Sequence, residues 1–257
     1  MRDFVKANYH AHTMRCQHAY GTEREFIEAA IELGIEEFGF SDHIPCPYKD
    51  GFVSGIRMRM DQAEEYRDCI RRLAEEYKDQ IRIYAGFEAE YIPRFFDEQM
   101  KMFDDLGFDY LIMGQHFLDL GEVDGAYTGA PTRDEAYFKS YVDTVIEGMK
   151  TGAFLYVAHP DILNYQGPER VYEEQMGRLC RAAREMHIPL EINVLGMDGN
   201  RQYPSGRFWS IASRVGNDAI YGLDAHAVEH IRAFGAYERC VKLAERNHLH
   251  ILERLEV

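Results

Sequence analysis

The sequence predicts an α/β fold assembled from seven βα units. Three observations carry this expectation: seven short apolar, β-prone runs, amphipathic helical periods between them, and a strand-to-strand spacing of roughly 30 to 45 residues that suits parallel strands with helical crossovers. With 257 residues, 46% of them hydrophobic, the chain is long enough to bury one sizeable core.

In chain order the runs are Phe4-Val5, Phe38 to Phe40, Ile81 to Phe87, Tyr110 to Met113, Phe154 to Ala158, Pro189 to Val194 and Ala219 to Leu223. Phe26, Ala29, Ala30 and Leu33 share one helix face, as do Ala63, Tyr66, Ile70, Leu73 and Tyr77, and again Phe138, Tyr141, Val142, Val145 and Met149. Thr22 with Glu25 and Thr132 with Glu135 have the spacing of a capping box, Asp61 with Glu64 is an Asp-headed relative, and Pro168 suits a first helical turn. No linker rich in Pro, Gly or Ser interrupts the series, so one domain over residues 1–257 is expected.

Spacing alone does not choose between an open doubly wound sheet and a closed barrel. A dinucleotide-binding open sheet calls for a glycine-rich turn after its first strand, whereas here the first strand runs into "HAH". That favours the barrel.

Bulk properties narrow the setting. The chain has no run of about 18 apolar residues, and "MRDFVKANYH" reaches a histidine before a signal-like segment forms, so a cytoplasmic protein is expected. Cys16, Cys46, Cys69, Cys180 and Cys240 are odd in number and lack CxxC spacing, which suggests neither a disulfide framework nor a thiolate zinc site; Cys16 and Cys46 are read as packing residues. A formal charge of −15 with dispersed Lys and Arg argues against polymeric nucleic acid as a partner. No membrane partner is expected either.

Histidines follow the strands. His10 and His12 come after the first, and their i, i+2 spacing on extended backbone aims both side chains to one side. The second strand runs into "SDH" with His43, the third holds Glu88 in "GFEAEY", the fourth leads to His116, the fifth to His159, and the seventh to Asp224 and His226. In a barrel of parallel strands these ends meet at one face. A lone histidine at a strand end ordinarily just finds a hydrogen bond. Here the set includes Glu88 and Asp224, carboxylates that are costly near a core without a cation or a full set of hydrogen bonds. His187, His230, His248 and His250 fall in helical or C-terminal positions and are read as structural or surface.

The chain resembles the polymerase and histidinol phosphatase (PHP) family, and within it the histidinol-phosphate phosphatase branch. The resemblance spans nearly the whole chain and rests on "YHAHTMRCQHAYGTEREFIEAAIELGIEEFGFSDHIP", "IYAGFEAEYIP", "YLIMGQHF", "VAHPD" and "GLDAH", which occur in the expected order. It implies a distorted seven-unit (βα) barrel, TIM-like, with three divalent metal ions at the C-terminal ends of the strands. Carried onto this sequence, the first ion takes His10, His12, Glu88 and Asp224, the second takes Glu88, His116 and His159, and the third takes His18, His43 and His226. Imidazole with carboxylate suits zinc, iron or manganese.

The implied reaction is hydrolysis of a small phosphomonoester, L-histidinol phosphate in this branch, by a metal-bound hydroxide. Six positive charges less two ligand carboxylates and one hydroxide leave about +3 to receive a phosphate dianion. Asp42 and Asp161 neighbour His43 and His159 and are candidates for proton transfer or for orienting a ligand. Arg57, Arg59, Arg201 and Arg207, in the segments after the strands, are candidates for a phosphate clamp. Asp119, Glu122 or Asp124 are candidates for recognising the substrate's amine and imidazole. The segment "HPDILNYQG" departs from the branch, in which an arginine commonly follows the fifth-strand motif.

Amidohydrolase-like and TatD-like barrels also begin with HxH, but do not account for His18, His43 and His226 as a further ligand set. Other phosphoesters, such as nucleotide ends or phosphotyrosine, remain substrates a PHP site could take. A metal-binding protein without activity would be expected to lack a ligand, and all nine positions are filled.

Overall fold

The computed structural model describes residues 4–49, 51–119, 122–123 and 125–257. Its first half alternates β1 (Ala7–Asn8), α1 (Glu23–Glu32), β2 (Glu37–His43), α2 (Ala63–Glu76), β3 (Arg82–Ala89), α3 (Pro93–Leu106) and β4 (Tyr110–Met113). There follow α4 (Glu135–Lys150), α5 (Glu169–Glu185), β5 (Leu190–Asn193), α6 (Val194–Asp198), α7 (Gly206–Val215), β6 (Asp218–Gly222), α8 (Val228–Ile231), α9 (Phe234–Arg246) and β7 (His250–Ile251).

The strands form two parallel sheets, ordered β1-β2-β3-β4 and β5-β6-β7. Isolated parallel bridges continue the pairing: Val157 joins Met113 on one side and Leu190 on the other, and Ala11 pairs with Ala225. Parallel strands demand covering on their faces, and the α/β alternation supplies it. All seven residues of β2 are buried, and one apolar cluster runs from Val5 to Ala244 through strand and helix faces.

The helical periods read from the sequence fall on buried faces: Phe26, Ala29 and Ala30 in α1, Tyr66, Ile70 and Leu73 in α2, and Phe138 to Met149 in α4. Local signals were less uniform. Thr22 and Glu25 form the expected capping box. At α4, however, the cap is Asp134, whose carboxylate accepts from the Ala136 and Tyr137 amides, so the cap falls two residues after Thr132 and the helix starts at Glu135. A carboxylate at this end also meets the positive pole of the helix. Asp61 lies in a short 3-10 turn, and Gln62 precedes α2 with no side-chain cap. The fifth apolar run pairs only through Val157, because the chain turns at His159 into the left-handed region (φ 29°). Pairing of the first run is displaced to Ala7–Asn8, and β7 was not foreseen.

The capping box gives a clean stability test. Thr22→Ala is expected to cost about 1 kcal/mol, read as a lower urea midpoint at unchanged m-value. An unshifted midpoint would show that this helix end is held by packing alone.

Candidate metal centre

The strand register sets the site. β2 and β3 run in parallel with His43 opposite Glu88, so the last residue of one strand meets the carboxylate of the next. His10 and His12, two residues apart, bring their rings to 5.2 Å between centroids. His159 and Asp224 both adopt positive φ, 29° and 52°, a conformation held against its cost at the strand-to-loop turns. Gly114 makes room: a Cβ there would overlap Glu88 Oε1. Gly222 does the same for Glu191, whose Oε1 a Cβ would strike.

Glu88 is the hub and is 1% exposed. Its Oε2 faces His10 Nε2 at 3.6 Å, His12 Nε2 at 3.5 Å and His43 Nδ1 at 3.1 Å. Its Oε1 faces His159 Nε2 at 2.8 Å and His116 Nε2 at 3.5 Å. Asp224 Oδ1 lies 3.4 Å from His10 Nε2 and 3.2 Å from His12 Nε2. A tetrahedral ion with bonds of about 2.1 Å spaces its ligand atoms about 3.4 Å apart. The four histidine-to-carboxylate separations in this set, 3.6, 3.5, 3.4 and 3.2 Å, match those edges.

Orphaned atoms make the same point. His10 Nε2, His12 Nε2, His43 Nδ1 and Glu88 Oε2 are buried with no hydrogen-bond partner, a costly state unless a cation completes them. The His18 and His226 Nε2 atoms stand 3.0 Å apart, while each Nδ1 bonds a carbonyl, Cys16 O at 2.7 Å and Asp224 O at 2.9 Å. A carbonyl only accepts, so both rings carry their proton on Nδ1 and turn lone pairs towards each other. Burial holds both rings below the ordinary histidine pKa, so they stay neutral. Such a pair fits a cation between them. His18, His43 and His226 present ligand atoms within reach of a single ion, as do His10, His12 and Glu88, and His43, Glu88 and His116.

An outer layer, largely invisible in the sequence, fixes these rings. His10 Nδ1 meets Glu191 Oε1 at 2.6 Å, and the other oxygen of Glu191 accepts from the His159 amide and from Asn193. His116 Nδ1 meets Glu90 Oε1 at 3.2 Å. Glu90 in turn takes two hydrogen bonds from Arg57; burial would raise its pKa, but Arg57 and His116 hold it down at about 2. Charged residues inside the apolar runs "LEIN" and "GFEAEY" were the only sequence trace of Glu191 and Glu90.

The other sequence candidates divide sharply. Asp42 is buried, accepts from the Thr13 hydroxyl and the His43 amide, and stands 3.6 Å from His12 Nδ1. Asp161 accepts from the Ser205 amide at 2.7 Å, burial raises its pKa to about 7, and it does not line the cavity. Arg57 is fully buried between Glu90 and Glu122, which removes it as a phosphate clamp. The same ion pair occupies Glu122. Arg59 points to solvent with Asp61, and Arg207 stacks on Tyr172 and bonds the Tyr165 carbonyl; neither lines the cavity. Asp119 is exposed, and Asp124 lies outside the described residues. Arg201 alone of the four arginines faces the cavity, bonded to the Tyr203 hydroxyl at 2.7 Å.

That cavity, about 580 Å³, opens over Glu88, Asp224, His18, His43, His116 and His226. Phe117, Tyr127, Tyr203 and His230 are also part of its wall. His230, read from the sequence as structural or surface, thus lies on the cavity wall. The five cysteines are free, with Cys16 and Cys46 both buried.

A family model described as the PHP domain matches residues 8–194, most of the chain. The chain belongs to the PHP domain family. Similar PHP proteins include the histidinol-phosphatase of Bacillus subtilis, 25% identical over 91% of this chain and 99% of that one. The probable histidinol-phosphatase of Deinococcus radiodurans is 27% identical over 84% of this chain and 85% of its own. The crystal structure of histidinol phosphate phosphatase from Lactococcus lactis, complexed with zinc, L-histidinol and phosphate, superposes with a TM-score of 0.75 at 22% identity, covering 98% of this chain and 99% of that one. That likeness shows the shared α/β fold. No helix among the described residues is long and apolar enough to cross a membrane.

Proton competition follows from the geometry. Burial opposes a charged His12, yet Asp224, Asp42 and Glu88 together raise its pKa to about 9 in the metal-free protein. Metal binding requires that proton to leave, and His10, held against burial well above the ordinary histidine range by Glu191, Asp224 and Glu88, must do the same, so the apparent affinity for a divalent ion should climb as pH rises through about 9. Chelator-competition titrations across pH 6 to about 10 check this, and a flat profile would contradict it.

Proposed function

We propose that this PHP protein is a cytoplasmic, metal-dependent phosphatase that hydrolyses L-histidinol phosphate to L-histidinol and phosphate. The observation that carries the reading is the convergence of seven histidines, Glu88 and Asp224, drawn from strand ends and the loops that follow them, at one open cavity. In this reading residues 1–257 form one domain, a distorted seven-unit barrel, and the isolated parallel bridges at Val157 and Ala11 between the two sheets support it. The branch-specific reading is supported by relatives in Bacillus subtilis and Deinococcus radiodurans named histidinol-phosphatase or probable histidinol-phosphatase, and by the Lactococcus lactis complex.

Three divalent ions, zinc, iron or manganese, fit the donors: one on His10, His12, Glu88 and Asp224, one on Glu88, His116 and His159, one on His18, His43 and His226. When bound, such ions supply Lewis acidity for the phosphoryl oxygens and lower the pKa of water. The chain's own residues do the rest. Glu88 uses one oxygen for each of two sets, which fixes their spacing. Glu191, Glu90 and Asp42 hold ring orientation and tautomer. Arg201, anchored on Tyr203, presents a guanidinium to the substrate phosphate. Asp161 acts at a distance, holding the Ser205 amide and so the turn behind Arg201 and Tyr203.

The reading predicts kcat/KM above roughly 10⁴ M⁻¹s⁻¹ for histidinol phosphate with zinc- or manganese-loaded protein. In His226→Ala, bound metal should fall by about one ion and turnover by at least the 10- to 100-fold typical of perturbing a ligand's support, with circular dichroism unchanged. Metal content and steady-state rates on one sample check both. Full metal content with turnover only on other phosphoesters would move the substrate assignment, and unchanged turnover in His226→Ala would remove that residue from the site.

A further inference from the structure

Within α8, one turn beyond Asp224 and His226, sits a cavity-lining imidazole that the ligand sets leave unused. The backbone amide of His226 donates to His230 Nδ1 at 3.0 Å. An amide only donates, so His230 Nδ1 carries a lone pair, and the neutral ring keeps its proton on Nε2. That assignment has two consequences. Nε2 cannot ligate an ion while it holds the proton, which separates His230 from the neighbouring His18 and His226, whose protons sit on Nδ1 and whose Nε2 atoms are free to bind. And among the described residues no protein atom accepts from His230 Nε2, although the side chain lines the same cavity as Arg201 and Asp224.

We propose that His230 is a substrate-contacting residue: its Nε2–H donates a hydrogen bond to a non-bridging phosphoryl oxygen of the bound phosphoester, on the side of the cavity formed by His18 and His226. This rests on the phosphatase reading. The backbone fixes the tautomer, so the donor is aimed before substrate arrives and costs little to orient. A neutral donor to a phosphoryl oxygen also adds no charge to a site that the metal ions already make positive. Arg201 and His230 then hold the phosphoryl group from the protein side, one as a cation and one as a neutral N–H.

Two substitutions separate this role from a structural one. His230→Asn keeps a carbonyl oxygen near the Nδ1 position for the His226 amide but has no donor that reaches as far as Nε2. His230→Gln places an amide N–H near the Nε2 position. The zinc-loaded full chain is titrated with inorganic phosphate by calorimetry, alongside metal analysis and steady-state kinetics on histidinol phosphate. Expected are wild-type metal content in both variants, a loss of about 10- to 100-fold in phosphate affinity and kcat/KM for His230→Asn, and recovery to within a few-fold for His230→Gln. Loss of metal in His230→Asn, equal losses in both variants, or undiminished phosphate affinity in His230→Asn would each overturn the proposal. Phosphate binding that weakens only in His230→Asn, in a protein that does not turn over histidinol phosphate, would support the donor and instead overturn the substrate reading.

Discussion

A buried carboxylate ringed by imidazoles governs this structure. Glu88 is removed from water and has one oxygen without a hydrogen-bond partner, while five histidine nitrogens approach within 3.6 Å. Burial would push its proton affinity up, but the rings of His116, His10 and His43 hold it well below the usual carboxylate range. An ionised group in such a place is stable only beside positive charge. The same demand explains why Gly114 lacks a side chain and why β2 and β3 are in the register that sets His43 against Glu88.

Around that charge the protein sorts its imidazoles by tautomer. Carbonyls of Cys16 and Asp224 keep the protons of His18 and His226 on Nδ1, and the carboxylates of Glu191 and Glu90 face Nδ1 of His10 and His116. Each leaves Nε2 pointing at the centre. His230 is turned the other way by the His226 amide and offers a proton where its neighbours offer lone pairs. In the proposed site one backbone stretch, residues 224 to 230, therefore supplies a carboxylate ligand, an imidazole ligand and a hydrogen-bond donor.

What the sequence revealed follows from how local each feature is. The gathering of histidines and carboxylates at one site was legible because parallel strands bring their C-termini together whatever the loops do, and because a set of such residues, unlike a lone histidine, is costly near a core without a cation. Helix faces were legible from period alone. The outer layer was not: Glu191 reaches His10 across 181 residues of chain, and Glu90 meets Arg57 from a different loop. No spacing rule encodes such pairs. Three of the four candidate arginines lie away from the cavity for a related reason, since they found closer anions, carbonyls or aromatic rings. Asp134 displaced Thr132 as a cap because a carboxylate two residues on bonded two amides at once.

In the proposed three-ion site, Glu88 would serve two of the ions. Anomalous diffraction from a crystal of the zinc-loaded protein, collected on both sides of the zinc edge, tests it most directly. The account predicts three anomalous peaks, two of them bridged by the Glu88 carboxylate and the third bound by His18, His43 and His226. Ordered peaks elsewhere with Glu88 bound to none of them, or a fully loaded crystal with a single peak, would contradict it.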